Sequence, residues 1–296
     1  MSERHPTYGL ALATAGALII TPDTLFMRLT AMSGLAMLAW RGLSVGVIFI
    51  SLWLGMRRHH LAADLRLLRQ PAGLAVILIH SVNAALFSLG IANAPVSVVL
   101  FAVAPMPIFA ALFAHLFAGE RTGLSTWIAT LAVMAGIGIA VFGRDAAGVG
   151  FNLASLIGAL AGLGVAAALA ATFVIIRHVP GLPILPVMGL GTLISGSIAA
   201  LLAGSAAMGS GHVWAALVSA ALILPLSFLA LTQAARHTAA VNVSLLMLLE
   251  TILGPLWGWW GFGEAMSRAQ IAGGLLVVVS LALYLWQSGR QSPPRD

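Results

Sequence analysis

Cysteine and lysine are both missing from this chain of 296 residues, and charged residues make up only 7% of it. Without cysteine, the chain forms no disulfide, no thiolate metal site and no cysteine nucleophile. An average soluble domain carries about 25% charged residues, so a soluble fold with this composition could not cover its apolar surface. The 60% of hydrophobic residues and the mean hydropathy of +1.05 therefore indicate a chain solvated by lipid.

All 14 basic residues are arginine, and the formal net charge is +6. In a soluble protein this excess would suggest nucleic-acid binding. Here the arginines fall at the ends of long apolar segments, where they act as signals of membrane topology. We therefore expect no nucleic-acid partner. The expected partners are a small-molecule substrate and the lipid bilayer.

Ten apolar segments are long enough to cross a hydrocarbon core of about 30 Å, which takes roughly 20 helical residues. In chain order they cover residues 8–29, 33–55, 72–92, 96–118, 124–142, 153–176, 184–204, 213–235, 238–261 and 268–287. A membrane barrel would instead show alternating strands of about ten residues. The sequence thus predicts an all-α membrane protein with ten transmembrane helices, followed by a disordered polar tail at 291–296.

The arginines also predict the orientation of these helices. With both termini in the cytoplasm, ten arginines lie inside and four lie at or near the outer ends of the segments. Such an excess on one side follows the positive-inside rule. We therefore predict a multi-pass protein of a bacterial inner membrane, with cytoplasmic N- and C-termini.

The two halves of the chain align with each other at an offset of about 144 residues. A Gly-Glu pair at 119–120 follows the fourth segment, and another at 263–264 follows the ninth. The predicted organisation is a five-helix repeat over 1–147 and a second over 148–290. Because five is odd, the second repeat enters the membrane inverted. Inverted repeats are common in secondary transporters and place the substrate near the midplane, although a duplicated scaffold without transport is an alternative.

The stretch from Pro107 to Glu120 resembles the helix-four signature of the EamA-type drug/metabolite transporters, in which a proline precedes a Gly-Glu pair by about 13 residues. In the second half, that family often has Glu-Pro where this chain has Glu250 and a proline displaced to Pro255. Arg41 also matches a position where the family often has arginine. The resemblance covers nearly the whole chain and is closest to the YddG-type amino acid exporters. It implies a ten-helix exporter.

Four residues are candidates for substrate binding. Glu250 stands near the middle of the ninth segment, where a charge is costly unless it faces the protein interior or a wet cavity. It could hold an ammonium group or take up a proton, or it could be a structural carboxyl. His80 and Asn83 share one helical face and could bind a substrate carboxylate, unless His80 is a satisfied core histidine. Phe101 would offer an apolar wall.

Asp23, Arg28 and Arg41 lie at similar depth in the outer halves of the first two segments. They are expected to form a buried ion pair that fixes the outer helix ends. The alternative is that they form an outer gate.

Proline is expected to interrupt the fourth segment at Pro105 and Pro107 and the ninth at Pro255, since it removes a backbone hydrogen bond. These kinks either bend during transport or serve static packing.

The predicted function is a secondary transporter that exports amino acids or similar small amphipathic metabolites by alternating access through a central cavity between the repeats. No histidine pair has metal-ligand spacing and no nucleotide motif is present, so we expect no metal, no cofactor and no direct use of ATP. Transport would run by facilitated diffusion or ion-coupled exchange, with the proton as one candidate ion. The alternatives are an exporter of lipophilic cations or drugs and an intramembrane enzyme. The enzyme is disfavoured because Asp23 and Glu250, the two plausible intramembrane acids, lie on different helices.

Overall fold

A computed structural model describes residues 6–119, 128, 131–132, 134–136, 138–139, 153–238, 240–263 and 266–291. Throughout these ranges every regular element is helical, and no strand occurs. Within the described residues, seven helical spans are long and apolar enough to cross a membrane. They are Tyr8–Leu29, Gly34–Met56, Pro71–Asn93, Val96–Phe117, Leu153–His178, Ile184–Met208 and Val213–His237. The all-α, multi-span fold is thus confirmed, while the count of ten helices stays a prediction.

The helices are numbered in chain order. Those of the first half are α1 (Pro6–Ile20), α2 (Asp23–Leu29), α3 (Gly34–Met56), α4 (Leu61–Leu68), α5 (Pro71–Asn93), α6 (Val96–Val103) and α7 (Met106–Ala118). Those of the second half are α8 (Leu153–His178), α9 (Ile184–Met208), α10 (Val213–Val218), a π-helical turn (Ser219–Ile223), α11 (Leu224–His237), α12 (Ala240–Leu246), α13 (Leu248–Phe262) and α14 (Arg268–Gln291).

Two parts of the sequence-based expectation lie mostly outside the described residues. The fifth segment contributes helical residues at 128 and between 131 and 139, and Glu120 and Glu264 of the Gly-Glu pairs are not described. Gln291 was expected to begin the disordered tail, but it is the last residue of α14. The rest of that tail, 292–296, lies outside the described residues.

Several helix ends follow directly from residue type. The Ser33 hydroxyl accepts a hydrogen bond from the backbone N–H of Ala36 and caps α3. Pro71 opens α5 in the first turn, where its missing N–H costs nothing. Gly119 and Gly263 end α7 and α13 with φ of 70° and 64°, a left-handed conformation that glycine adopts without steric cost.

The fourth and ninth apolar segments each break within their length, as the first does at Thr21 and Pro22. The fourth segment divides at Ala104 and Pro105, and Pro107 lies in the first turn of α7. The ninth segment divides at Met247, and Pro255 lies inside the continuous helix α13. The expectation that Pro255 interrupts this segment is therefore wrong. The chain turns eight residues earlier, where the N–H of Glu250 bonds the carbonyl of Met247 (3.0 Å) in a tighter turn.

The most extensive contact between the described parts of the two halves joins α3 and α9. It depends on glycine, because a Cβ added to Gly42 would lie 2.7 Å from the carbonyl oxygen of Thr192 and 2.8 Å from the Cα of Gly196. Such backbone approach is possible only without side chains on both helices. The GxxxG spacing of Gly42 and Gly46 thus serves packing within one chain.

Some element boundaries of the two halves lie at the same offset as their sequences. α5 ends at Asn93 and α11 at His237, and each is followed by a residue in extended conformation. α6 begins at Val96 and α12 at Ala240, again about 144 residues apart. Across the halves, α5 packs on α8 and α1 packs on α11. In both contacts the third span of one half packs on the first span of the other half.

Candidate functional site

A cavity lies between the two halves of the chain, near the middle of the membrane-spanning helices. Its lining residues are Ile20, Leu38, Arg41, Gly42, Val45, His80, Asn83, Ala84, Phe87, Ser88, Val103, Val165, Leu169, Thr192, Leu224, Phe228, Met247 and Glu250. Most of them are apolar. The cavity volume is about 60 Å³, in which roughly four water molecules fit, because each needs about 10–15 Å³ of such space.

Glu250 reaches this cavity because the ninth segment breaks just before it. The break makes Glu250 part of the first turn of α13, where the positive end of the helix dipole stabilises a carboxylate. Glu250 is only 5% exposed, and its Oε1 has no hydrogen-bond partner among the described residues.

His80 and Asn83 face the same cavity from α5. Both are buried, and the ring of His80 meets the ring of Phe228 edge-on, with 5.4 Å between the ring centres. His80 Nδ1 and Asn83 Oδ1 have no hydrogen-bond partner within the described ranges. An unpartnered buried polar atom is costly, so these three atoms leave hydrogen-bonding capacity for a polar molecule in the cavity.

The buried cation of the cavity, Arg41, is paired with a carboxylate. Its Nη2 and Nη1 donate to Oδ2 and Oδ1 of Asp23 at 2.7 and 3.2 Å, and both side chains are almost fully buried. The Ser219 hydroxyl adds a third hydrogen bond to Asp23 (2.5 Å). A two-point arginine–carboxylate pair is strong and fixed in geometry. The structure therefore contains the expected ion pair between the first two segments.

Arg28, which was expected beside this pair, reaches in another direction. Its Nη2 donates to the carbonyl of Ala94 (2.7 Å) and so ties α2 to the turn between α5 and α6. A matching contact occurs in the second half, where Arg177 donates to the carbonyl of Thr238 (2.6 Å). Each arginine stands one residue before the end of its helix, and Ala94 and Thr238 correspond under the repeat offset.

Phe101 does not line the cavity. Its ring lies against α14, where a Cβ added to Gly274 would be 2.4 Å from the ring edge. The glycine leaves a space that the aromatic ring fills, so Phe101 packs away from the cavity. The expectation that it forms an apolar wall is wrong, and Phe87 and Phe228 occupy such positions.

Sequence reasoning missed several residues of this site. Ser219 touches Asp23 from a π-helical turn, and Phe228 and Met247 line the cavity with His80 and Glu250. A serine, a phenylalanine and a methionine inside apolar segments carry no signal that separates them from packing residues. The available clue was the repeat, since it places the second half beside the first around one cavity.

A second polar cluster lies outside the membrane spans, around Asp64 of α4. Asp64 is 1% exposed. It accepts hydrogen bonds from Arg57 Nε and Nη2, both at 2.7 Å, and from Trp53 Nε1 at 2.8 Å. The hydrogen bond from Arg57 holds the pKa of the Asp64 carboxyl below its ordinary value of 3.8. This cluster fastens the loop between α3 and α5.

No group of three or more histidine, aspartate or glutamate side chains suitable for a metal ion occurs in the part of the chain that the structure describes. The polar atoms of the cavity are a carboxyl, an amide, an imidazole and a paired guanidinium. They suit hydrogen bonding and charge pairing with a small ligand.

Comparison with protein families gives one match. Residues 7–142, which contain the first five apolar segments, match the EamA-like transporter family. This stretch, slightly less than half of the chain, is similar to that family. The match confirms the resemblance found in the sequence at the level of the drug/metabolite transporter superfamily, while the YddG-type subgroup stays a prediction. EamA-like proteins are membrane transporters, so the match, over slightly less than half of the chain, points to a membrane transporter.

Solved structures support the fold of this chain. One crystal structure of another protein, 20% identical in sequence, superposes with a TM-score of 0.66 and covers 97% of this chain and 99% of the other. At this identity the likeness concerns the fold alone. No protein with a curated description matches the chain.

Proposed function

We propose that this EamA-like protein is a secondary transporter that exports amino acids or similar small amphipathic metabolites through the central cavity. The observation that carries the proposal is the set of three unpartnered polar atoms, on His80, Asn83 and Glu250, in an otherwise apolar cavity at mid-membrane. An amphipathic metabolite satisfies both parts of this lining. Its polar head completes the hydrogen bonds, and its side chain displaces water from the apolar walls.

In this proposal Glu250 binds the ammonium group of the substrate. A carboxylate in the first turn of α13 is held by the helix dipole and pairs with a cation that enters the cavity. His80 and Asn83 supply hydrogen bonds from the facing wall, within the reach of one small molecule. Binding is weak, because a transporter must release what it binds.

Alternating access follows from two inverted repeats, and three observations support them. Several element boundaries repeat at one offset, α5 and α8 pack as α1 and α11 do, and a break within the apolar run divides the matching segments at Pro105 and at Met247. Broken helices at corresponding positions are typical of transporters with inverted repeats. Each break gives its half a point at which the helix can bend without unfolding.

Two arginine contacts suit a role in gating at opposite ends of the cavity. Arg28 on Ala94 and Arg177 on Thr238 each hold the turn between the third and fourth spans of their own half. Inverted repeats would place these two turns on opposite faces of the membrane. Opening one face would then break one arginine contact and leave the other, while the Asp23–Arg41 pair stays buried between α2 and α3.

Uptake into proteoliposomes tests the function, with a panel of amino acids and with or without a pH gradient. We expect saturable uptake of at least one amphipathic amino acid, and stimulation by the gradient would show proton coupling. Glu250→Gln keeps the shape of the side chain and removes its charge, so it should lower uptake at least about tenfold. Arg66→Gln is the control, because Arg66 is exposed on α4 outside the membrane.

Two results would contradict the proposal. One is the absence of uptake for every compound of the panel by a folded protein. The other is a Glu250→Gln protein that transports at the wild-type rate, which would make this carboxyl structural.

A further inference from the structure

We infer that the central cavity selects a primary amine with an apolar body, a monocation, over the zwitterionic amino acid that contains the same body. This inference rests on the proposed function and refines its substrate class. It follows from the balance of charges and hydrogen-bond groups around the cavity.

The cation of the cavity is already neutralised. Arg41 lies in the lining, but Asp23 binds its guanidinium at two points, and Asp23 accepts a further hydrogen bond from Ser219. A substrate carboxylate entering the cavity would compete with Asp23 for Arg41. Removing one partner of a buried ion pair is strongly unfavourable, so Arg41 is a poor receptor for a second carboxylate.

The remaining charge of the cavity is negative. Asp23 and Arg41 cancel, and Glu250 is the titratable acid in the lining. With Glu250 as a carboxylate, the side chains of Asp23, Arg41 and Glu250 together carry a net charge of about −1. One ammonium group balances this charge. A zwitterion would restore the imbalance, because its own carboxylate would face Glu250 and Asp23 across a medium of low dielectric constant.

The unpartnered atoms require hydrogen-bond donors from the ligand. Glu250 Oε1 and Asn83 Oδ1 are both acceptors, and His80 Nδ1 accepts in one tautomer. The Thr192 hydroxyl, which also lines the cavity, donates to the carbonyl of Met188 (3.0 Å) in its own helix. Three acceptor sites match the three N–H groups of a primary ammonium. They do not match the two oxygens of a carboxylate.

Binding measured on the purified wild-type protein in lipid nanodiscs tests this inference without the leak of amines through liposomes. Three probes share one apolar body: leucine, 3-methylbutylamine, which lacks the carboxylate, and 4-methylpentanoate, which lacks the amine. By calorimetry we expect the amine to bind at least about tenfold more tightly than leucine, and 4-methylpentanoate to bind least. The N,N,N-trimethyl derivative of the amine keeps the charge but has no N–H donor, so it should bind more weakly than the amine.

Variants assign this preference to the two carboxylates. Glu250→Gln should lower the affinity for the amine at least about tenfold and that for leucine less. Asp23→Asn releases the charge of Arg41 into the cavity, so it should narrow or reverse the preference for the amine over leucine. Ser219→Ala leaves the ion pair in place and should keep the preference. If Asp23→Asn does not fold, the inference is still tested by the ratio of the wild-type affinities for the amine and leucine, and by the change of both affinities in Glu250→Gln.

The outcomes separate this inference from the proposed function. Leucine that binds as tightly as the amine, together with amino acid uptake in proteoliposomes, would overturn the inference and leave the transporter in place. Uptake of amino acids by a protein that does not bind the amine would also overturn the inference and leave the proposed transport function in place. Loss of all uptake would instead remove the proposed function.

Discussion

Among the described residues three acids are buried, Asp23, Asp64 and Glu250, and their carboxylates are hydrogen-bonded to different extents. Asp64 is satisfied by Arg57 and Trp53 in a loop, and Asp23 is satisfied by Arg41 and Ser219 within the membrane. Glu250 keeps one oxygen without a partner among the described residues. A buried acid with complete hydrogen bonds serves structure, whereas an incomplete one has bonding capacity left for a ligand.

Asp64 gives a prediction at this scale that is independent of transport. The hydrogen bond from Arg57 lowers the pKa of Asp64 below 3.8, so the stabilisation is complete above that value and is lost as pH falls through the lower pKa of the folded state. Hydrogen-exchange protection of α4 should therefore persist to about pH 4 and decline below it. Asp64→Asn should cost roughly 1–2 kcal/mol of local stability at neutral pH and abolish that decline.

The control for this experiment is Arg66→Gln on the exposed face of α4, which should leave protection unchanged. Wild-type protection of α4 in the Asp64→Asn protein at pH 7 would show that the loop is held by other contacts.

At the scale of elements, the contact of α3 with α9 depends on the absence of side chains. Gly42→Ala places a methyl group 2.7 Å from a backbone oxygen of α9, so the helices must separate, and we expect a loss of about 1–3 kcal/mol. Gly55 stands on the same helix with nothing within 4 Å of an added Cβ. Gly55→Ala should be neutral or stabilise by up to about 1 kcal/mol, since alanine favours helix.

Thermal unfolding of both variants in detergent measures these opposite effects. Equal melting temperatures for Gly42→Ala and Gly55→Ala would mean that the two helices are not in close contact.

The sequence predicted the elements better than it predicted their interruptions. Apolar runs of about 20 residues define spans because lipid offers no partner to the backbone, and Gly119 and Gly263 marked helix ends. The break at Met247 had no such signal, because methionine is a good helix former. Pro255 instead suggested an interruption about two turns too late. Phe101 was misplaced for a related reason, since hydropathy does not indicate the direction of a side chain around a buried helix.

The cavity was predicted in part. A carboxyl in mid-helix and a His-Asn pair at i, i+3 are rare enough in a membrane segment to indicate an interior face. The ion pair of Asp23 with Arg41 was expected from the similar depth of the two residues. The hydrogen bond from Ser219 to Asp23 was not expected, because it joins residues 196 positions apart, a contact that a single sequence does not reveal.

At the scale of the whole molecule, the arginine asymmetry predicts the topology. Reporter domains fused within residues 57–70 and after Gln291 should both read cytoplasmic, and one inserted at Gly209, in the exposed turn after α9, should read external. Because each half contains an odd number of predicted spans, the same sidedness for Gly209 and the C-terminal end would refute the inverted arrangement.

The proposed binding of a ligand at Glu250 would depend on the membrane voltage, because Glu250 lies deep within its segment. Ten residues of helix and turn separate Ala240, at the start of α12, from Glu250, or about 15 Å at 1.5 Å per residue, half of a core of about 30 Å. A charge that moves from either face to Glu250 therefore crosses about half of the field, worth roughly 1.2 kcal/mol per 100 mV. The affinity of the cavity for a monocation would therefore change about sevenfold per 100 mV of membrane potential. A zwitterion carries no net charge, so its affinity would be nearly independent of the potential.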